Sequence, residues 1–569
     1  MNSIRTHALR LLLIVGCAFT LSGCGGGGGG DDTPPPSGGD VTISGRISFD
    51  RPPFNTELET GLNMASPVEM PARDVVVEII DAGSSAVLGS TTTNASGDYS
   101  VAVPANRSAF VRAKAQMLRN SGTPNWNFRV LNNTNSDALY ALDGSAFNTG
   151  TAASTRNLRA ATGWGTNSYT GTRAAAPFAI LDTVYRAKEL ILTADPNAAF
   201  ANLDFFWSPD NRATVNRFCP DTGDIGTTFY QVSGTSDECA TPAELPAGIY
   251  VLGSFDSGSG DTDEFDQHVI AHEFGHYFED RFSRSDSLGG SHNGTDRLDL
   301  RVAFGEGWGN AFAGMSVQDP QYRDSMSGVD FDFGLNLESD DPRAEGWFSE
   351  LSVGEIIWDI YDSVAEPHDT IALGFTPIFQ TMTGPQVTTD ALTSIFSFAT
   401  GMRQTSSADA AAINALLTAE NIATTDEFAT AEGNDGGNAD VLPIYRPSPD
   451  GMQVPVCVSA TSTSGTSDNN KLGNRKFFRF VNQSARLVTI TARGAVNQEV
   501  PNSVAATDPD IFLFRRGAIV AAGITDGDST ETLDQIAVAA GTHIIEVYDF
   551  DLQFNASTTR CMTLSITGN

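Results

Sequence analysis

Basic residues are scarce in this chain, and that scarcity excludes one large class of functions. The 569 residues include 34 Lys and Arg against 69 Asp and Glu, which gives a formal net charge of −35. Proteins that bind nucleic acids need basic surfaces to neutralise phosphates. We therefore expect no nucleic-acid partner, and the acidity itself is typical of a soluble protein.

Long apolar runs are missing after the N-terminus, so no later segment is expected to cross a bilayer. The apolar stretch 11–21 follows Arg5 and Arg10 and is too short for a spanning helix. It leads into Leu-Ser-Gly-Cys ending at Cys24, which resembles a bacterial lipobox. The resemblance implies that residues 1–23 are a signal peptide and that Cys24 carries a lipid. We expect an exported protein, anchored only by lipid to an outer membrane or cell surface.

Cysteines are few, and their positions fit export. Two of the six fall at or before Cys24, which leaves four. An even number in an exported chain indicates disulfides. Because each pair lies within one predicted domain, we expect Cys219 to bond Cys239 and Cys457 to bond Cys561.

Composition predicts a multidomain protein. Residues 24–40 are rich in Gly and Pro and should form a flexible tether. Residues 41–117 and 451–569 contain short alternating runs between turns, which predict an N-terminal and a C-terminal β-sandwich. Residues 118–450 have a mixed α+β pattern and should form the catalytic domain. Its helical patterns cover 174–192, 261–280, 300–315 and 350–363.

Both predicted sandwiches resemble known accessory domains. The N-terminal one is similar to carboxypeptidase regulatory-like domains in the turn that precedes a Gly-Asp-Tyr strand entry at Gly97. The C-terminal one resembles prepeptidase C-terminal domains, most clearly from Asp508 to Leu513. The first resemblance implies an accessory module without chemistry of its own.

The chemistry is expected at the His-Glu-x-x-His motif that begins at His272 and ends at His276. A helix is predicted over 261–280, with Asp261 and Glu264 as its capping box. Residues four apart lie on one helix face, so both histidines can bind one ion. Zn²⁺ suits imidazole and accepts a tetrahedral site with one open position.

Glu273 is the expected general base of this site. It lies about 100° around the helix from His272, so it can face the site without binding the ion. We expect it to take a proton from a water molecule whose pKa the ion lowers towards about 7. His268, one turn before His272, could also face the ion, although the motif does not require it.

A Gly-Glu-Gly-Trp segment containing Glu306 follows thirty residues after His276, within the next helical pattern. The two motifs together resemble gluzincin metallopeptidases, in particular the fungalysin branch near thermolysin. The resemblance implies a zincin-type fold, endopeptidase activity on proteins or peptides, and Glu306 as the third zinc ligand. His292 is the alternative ligand. The family commonly has Asp where this chain has Asn310, whose neutral carbonyl can still orient a zinc histidine.

A donor that stabilises the transition state should come from a later segment. Tyr361 and His368 are candidates because a segment around Tyr361 resembles a downstream family segment. Each also has an ordinary interpretation, core packing for Tyr361 and solvent exposure for His368.

Acidic runs raise the question of a second ion, Ca²⁺. The runs 261–264, 338–341 and 435–440 lack the regular spacing of an EF-hand. We therefore expect solvated turns there and keep Ca²⁺ only as an optional cofactor.

Two other functions stay open at this point. The departure at Asn310 is compatible with a surface-binding or adhesion lipoprotein whose zincin fold has lost catalysis. Glu273 argues against that alternative, since an inactive zinc site needs no general base. A zinc hydrolase that acts on a non-peptide bond is the other alternative.

Overall fold

The computed structural model divides into two compact units. Unit 1 comprises Met1–Tyr185, Ala199–Asp266 and Asp324–Asp332, and unit 2 comprises Arg186–Ala198, Gln267–Arg323 and Phe333–Asn569. The residues that the structure describes are 39–55, 61–214, 217–236, 238–240, 243–255, 260–326, 330–339, 344–363, 369–449, 451–459, 469–494, 507–527, 529–553 and 559–568. The predicted signal peptide, the lipid site Cys24 and most of the predicted tether lie outside these residues.

Unit 1 is built mainly from β-strands. They are β1 (Asp40–Arg51), β2 (Val68–Pro71), β3 (Val75–Asp81), β4 (Val87–Thr92), β5 (Asp98–Pro104), β6 (Ser108–Arg119), β7 (Trp126–Asn132), β8 (Ala138–Leu139), β9 (Ala141–Asp143), β10 (Phe147–Asn148), β11 (Ser154–Thr155), β12 (Leu158–Ala160), β13 (Leu203–Trp207), β14 (Phe229–Gln231), β15 (Gly234–Ser236), β16 (Ala243–Leu245) and β17 (Gly248–Val251). A five-stranded sheet centres on β1, and a ten-stranded sheet runs in the order β14-β17-β13-β7-β6-β3-β4 with β8, β9 and β10 beside it.

The alternating pattern of the N-terminal region forms strands as predicted. In β5 every second residue is buried, so Tyr99, Val101 and Val103 share one face. The turn before β5 is held by the Asn94 side chain, which accepts bonds of 2.9 Å from two backbone N–H groups. The predicted end of this domain at residue 117 falls inside β6. The sheet that contains β6 continues through β7 to β13 and β17, beyond the predicted domain.

The described helices are α1 (Ala176–Ala194), α2 (Gln267–Phe282), α3 (Leu300–Val317), α4 (Glu350–Tyr361), α5 (Phe375–Thr383), α6 (Pro385–Thr388), α7 (Ile395–Thr405) and α8 (Ala410–Ala419). Helices α1 to α4 occupy the four predicted positions with shifted ends, whereas α5 to α8 were not predicted. None of the helices in the described part of the chain is long and apolar enough to span a membrane.

The predicted start of α2 at Asp261 is wrong. Glu264 does not cap this helix, because its buried carboxylate bonds Arg173 at 3.1 Å and Trp207 at 3.4 Å. Asp261 and Thr262 instead form backbone bridges to Met326 and Gly253. The buried partners therefore outweigh the local capping signal, and the helix begins at Gln267.

The predicted C-terminal β-sandwich is confirmed within unit 2. Outside the sandwich, β18 (Gln321–Met326) and β19 (Asp330–Asn336) form a separate two-stranded sheet. The sandwich strands are β20 (Tyr445–Pro447), β21 (Gln453–Ser459), β22 (Arg475–Asn482), β23 (Arg486–Gly494), β24 (Pro509–Arg515), β25 (Ala518–Gly523), β26 (Thr530–Val538), β27 (Gly541–Asp549) and β28 (Thr559–Gly568). One sheet has the order β20-β22-β27-β24-β25 and the other β21-β28-β23-β26. Apolar residues from both sheets, among them Phe478, Ile490 and Ile545, form one core.

Both predicted disulfides are formed. Cys219 bonds Cys239 in unit 1, and Cys457 bonds Cys561 in unit 2. The second joins residues directly opposite each other on β21 and β28. Two disulfides indicate an extracellular or periplasmic location.

A buried ion-pair cluster attaches α3 to the C-terminal sandwich. Arg301, only 1% exposed, contacts Asp299 at 2.9 Å and Glu546 on β27 at 2.7 Å. Arg475 of β22 pairs with the same Glu546. Because the charges are removed from water, each depends on its partners for compensation.

Removing one partner of this cluster should therefore destabilise unit 2 strongly. We expect Glu546→Ala to lower the free energy of unfolding by about 3 kcal/mol, since Arg301 would stay buried with less compensation. Urea denaturation measures the change. The control is Asp390→Ala, which removes the surface ion pair between Asp390 (32% exposed) and Arg516 (56% exposed). Its loss should cost at most about 1 kcal/mol. Equal costs in both variants would contradict the assignment.

Candidate metal centre

His272, His276 and Glu306 converge on one point in unit 2. The two Nε2 atoms are 3.1 Å apart, and Oε2 of Glu306 lies 3.2 Å from the first and 3.3 Å from the second. Ligands about 2.0–2.1 Å from a tetrahedral Zn²⁺ should be about 3.3 Å apart. The three atoms thus have the spacing of three ligands around one such ion.

Partners on the far side of each ring fix which nitrogen faces this point. Nδ1 of His272 lies 3.0 Å from Oδ1 of Asn310, and Nδ1 of His276 lies 3.4 Å from Glu279. With Nδ1–H donated to these oxygens, each Nε2 presents its lone pair to the shared point. Such partners orient metal-binding histidines and raise their basicity. Asn310 keeps the orientation that an aspartate would give, through a neutral carbonyl oxygen.

Glycines allow α2 and α3 to approach closely enough to form the triad. A Cβ at Gly309 would lie 2.6 Å from the His272 ring, which is too close for a non-bonded contact. At the same crossing, Trp308 donates from its indole N–H to the carbonyl of Gly275 at 3.0 Å. On its other side, α3 meets α4, where a Cβ at Gly307 would lie 2.6 Å from the carbonyl oxygen of Glu350. The Gly-rich sequence around Glu306 is therefore a packing requirement.

Electrostatics keep Glu306 ionised. Burial alone would raise its pKa, but His292 and His276 lower that pKa well below the usual value. For His276, burial would lower the pKa, and Glu306 with Glu279 outweighs burial and raises the pKa well above the usual value. Both shifts describe the site without an ion, and binding of a metal would require His276 to lose this proton.

His292 lies beside the triad and has its own carboxylate partner. Its Nε2 is 3.2 Å from Oε2 of Glu306, and its Nδ1 is 2.9 Å from Oε2 of Glu350, the first residue of α4. The side chain is 29% exposed, in contrast to the buried triad carboxylate. His292 is therefore aimed at the site from the accessible side, where a substrate could reach it.

The segment that carries His292 is held by the C-terminal sandwich. The Asn470 side chain donates to the carbonyls of Gly289 and Ser291 at 2.9 and 3.1 Å. Lys471 adds a bond to Ser291 and an ion pair with Asp296 at 3.3 Å. These residues come just before β22, so the sandwich contributes directly to the placement of His292.

The other predicted site residues lie in different surroundings. Glu273 is buried on α2 beside the triad, and its charge contributes to the raised pKa of His276. His268 bonds the carbonyl of Asp319 at 3.1 Å, and burial lowers its pKa to about 4. Tyr361 ends α4 and contacts Trp358, so its role as a donor stays a prediction. His368 lies outside the described residues.

Sequence reasoning missed three residues of this centre. Glu279 orients His276, Glu350 holds His292, and the ring of Tyr322 lies 6.0 Å from that of His272. Glu279 could have been found, because it lies one helical turn after His276. Glu350 and Tyr322 come from other elements and carry no sequence signal.

The chain shows little similarity to known proteins. No family model matches it, and no curated protein matches it. The pre-peptidase C-terminal domain of a Bacillus anthracis collagenase is 13% identical, with 21% of this chain and 93% of that domain covered and a TM-score of 0.15. A periplasmic inhibitor of g-type lysozyme from Aeromonas hydrophila is 12% identical, with 22% of this chain and 98% of the inhibitor covered and a TM-score of 0.14. A Cyanothece 9R-lipoxygenase is 8% identical, with 69% of this chain and 68% of the lipoxygenase covered and a TM-score of 0.14. Scores this low assign neither a fold nor a function.

The geometry predicts graded losses of zinc affinity. His272→Ala removes a ligand and should weaken binding by more than about 100-fold, whereas Asn310→Ala removes only an orienting partner and should weaken it by about 10- to 100-fold. Competition with a chromophoric chelator measures both. His268→Ala, on the same helix but bonded to Asp319, is the control and should bind zinc like the wild type. A loss in the control equal to that in His272→Ala would contradict the ligand assignment.

Proposed function

We propose that this protein is a zinc metallopeptidase that hydrolyses peptide bonds in proteins or peptides. The observation that supports the proposal is the triad of His272, His276 and Glu306, whose ligand atoms lie 3.1–3.3 Å apart with Glu273 next to it. Two imidazoles and one carboxylate leave a fourth position open, which is typical of catalytic zinc sites. When bound, Zn²⁺ would act as a Lewis acid that polarises the scissile carbonyl and acidifies a water molecule.

Glu273 would move the proton in this reaction. It follows His272 directly on α2 and is only 8% exposed, so its carboxylate is shielded from bulk water beside the triad. It would accept a proton as water adds to the carbonyl carbon, then deliver that proton to the leaving nitrogen as the C–N bond breaks. The products are a carboxylic acid and an amine, with atoms balanced by one water.

His292 is our candidate for the donor that stabilises the transition state. The bond of its Nδ1 to Glu350 fixes the ring, and its Nε2 is left directed towards the site. A donor held this way loses little freedom on stabilising the oxyanion. The alternative is that His292 binds the ion as a fourth ligand, and these two roles predict different zinc contents.

The proposed setting is a bacterial surface. The two disulfides are consistent with an extracellular or periplasmic enzyme. We further propose that acylated Cys24 anchors the enzyme and that the tether after it gives the enzyme reach towards its substrates.

Removal of the general base should abolish cleavage and leave the metal in place. We expect Glu273→Gln to lower the rate of casein cleavage by the purified full-length protein by about 100- to 10,000-fold. Zinc content, measured in the same samples, should be unchanged because Glu273 is not a ligand. The matched control is Asp280→Asn, a carboxylate on the same helix that is 29% exposed and pairs with Arg281; it should cleave normally.

The result for the wild type decides between the candidate functions. A folded, zinc-loaded wild-type protein that leaves casein and peptide libraries intact would contradict the peptidase proposal. In that case the surface-binding protein or the hydrolase of a non-peptide bond would replace it.

Substitution of His292 separates its two roles. If it is the donor, His292→Ala should keep zinc, keep KM for a peptide substrate and lose about 100- to 1,000-fold in kcat. Glu350→Gln should show a smaller loss of kcat, because the ring keeps a weaker partner. Loss of zinc from His292→Ala would instead make it the fourth ligand.

A further inference from the structure

A second group of ligand-type side chains lies in unit 1, apart from the histidine centre. Carboxylate oxygens of Asp261, Asp263 and Asp324 all lie within 4.8 Å of one another. This acidic run was expected to be a solvated turn, and that expectation is wrong, because Thr262, Asp263 and Glu264 are all buried. The run 435–440, in contrast, does form a turn, in which the backbone N–H of Asn438 bonds the carbonyl of Asp435 at 2.9 Å.

The backbone forces these carboxylates together. Asp261 forms an antiparallel bridge with Met326, and in that register Asp263 stands opposite Asp324. On its other side, this segment is fixed by a bridge from Thr262 to Gly253 and a bond from the N–H of Asp263 to the carbonyl of Leu252 at 3.2 Å. Like charges directly opposite each other on paired strands are destabilising unless something neutralises them.

One carboxylate oxygen of Asp263 is left unsatisfied by the residues that the structure describes. The residue is 2% exposed, and one carboxylate oxygen accepts a bond from the Thr228 hydroxyl. The other oxygen has no hydrogen-bond partner among the described residues. A buried carboxylate with an unsatisfied oxygen is costly unless a ligand supplies the missing contact. Burial, followed by the charges of Asp261 and Asp324, raises the pKa of Asp263 well above its usual value.

Neighbouring buried carboxylates outside the aspartate cluster do not share this lack of a partner. Glu264 is also buried, but it pairs with Arg173 and receives a bond from Trp207. Asp266 is fully buried and accepts bonds from the backbone N–H and the hydroxyl of Ser325 at 2.7–3.0 Å. The protein therefore satisfies the acids around the group and leaves an oxygen of Asp263 for something else.

We propose that Asp261, Asp263 and Asp324 form a Ca²⁺ site in unit 1. Three carboxylates without nitrogen or sulfur are a hard ligand set, which favours Ca²⁺ or Mg²⁺ over Zn²⁺. Two oxygens that each bind Ca²⁺ at about 2.4 Å can be at most about 4.8 Å apart, as these are. Ca²⁺ also tolerates a site with irregular geometry, whereas Mg²⁺ demands a near-ideal octahedron. The ion would neutralise the opposed charges and join Asp261 and Asp263 to β18.

Calorimetric titration tests the site directly. The full-length protein, freed of Ca²⁺ and loaded with Zn²⁺, is titrated with CaCl₂ and separately with MgCl₂. We expect one Ca²⁺ site with a Kd of about 10⁻³ M or tighter, as in extracellular modules. Ca²⁺ should also raise the unfolding temperature, and Mg²⁺ should have little effect. The absence of Ca²⁺ binding, or an equal response to Mg²⁺, overturns the proposal.

Variants distinguish an ion site from a purely structural cluster. Asp263→Asn should weaken Ca²⁺ binding by at least about tenfold, because it removes a charged ligand. Without Ca²⁺ it should unfold at or above the wild-type temperature, since it removes one of the opposed charges. A merely structural Asp263 would give a lower unfolding temperature and unchanged Ca²⁺ binding, which would overturn the proposal. Asp324→Asn, at a less buried position, provides the same test if Asp263→Asn fails to fold.

Two controls tie the effect to this site and separate it from the histidine centre. Asp143→Asn changes a carboxylate that is 43% exposed and pairs with Arg112; it should bind Ca²⁺ like the wild type. His272→Ala should lose Zn²⁺ and keep the Ca²⁺ response, so failure of the peptidase proposal would leave this one standing. A Ca²⁺ response lost equally in Asp143→Asn overturns the assignment.

Discussion

The close crossing of α2 and α3 is the constraint on which the candidate metal centre depends. His272 and His276 can converge with Glu306 only if the two helices approach to a distance that excludes a Cβ at Gly309. The N–H group of Trp308 then fixes the crossing by bonding the α2 backbone. Ligand geometry is set here by backbone packing, so the histidine rings and the carboxylate need little adjustment to meet one ion.

Support for this crossing comes from the C-terminal sandwich of the same unit. Arg301 ties α3 to Glu546, and the residues before β22 hold the backbone on either side of His292. Such contacts place the sandwich among the parts of the protein that shape the site. A domain that positions a side chain of the site cannot be removed without moving that side chain.

Buried charge is handled in opposite ways at the two clusters of the molecule. At the histidine centre, His292 and His276 lower the pKa of Glu306, and each histidine of the triad has an orienting partner at its Nδ1. At the aspartate cluster, burial and like charges raise the pKa of Asp263, and one of its oxygens has no hydrogen-bond partner in the described part of the chain. Under the two proposals, Zn²⁺ would bind the imidazole and carboxylate ligands of the first cluster and Ca²⁺ the carboxylates of the second.

The sequence by itself determined the strands of the C-terminal sandwich, the positions of helices α1 to α4, both disulfides and the placement of His272 and His276 on one helix face. These features rest on local periodicity, on the number of cysteines in each predicted domain and on the spacing of one motif. Glu306 was predicted only from the resemblance of its segment to a known family, with His292 as the alternative. Only the tertiary structure decided where α2 begins, since Arg173 and Trp207 draw Glu264 away from the cap. It alone also placed Glu350 behind His292 and Asp263 opposite Asp324. Those neighbours come from distant segments, and a pairing between distant segments is fixed by packing and strand register, which local sequence patterns do not encode.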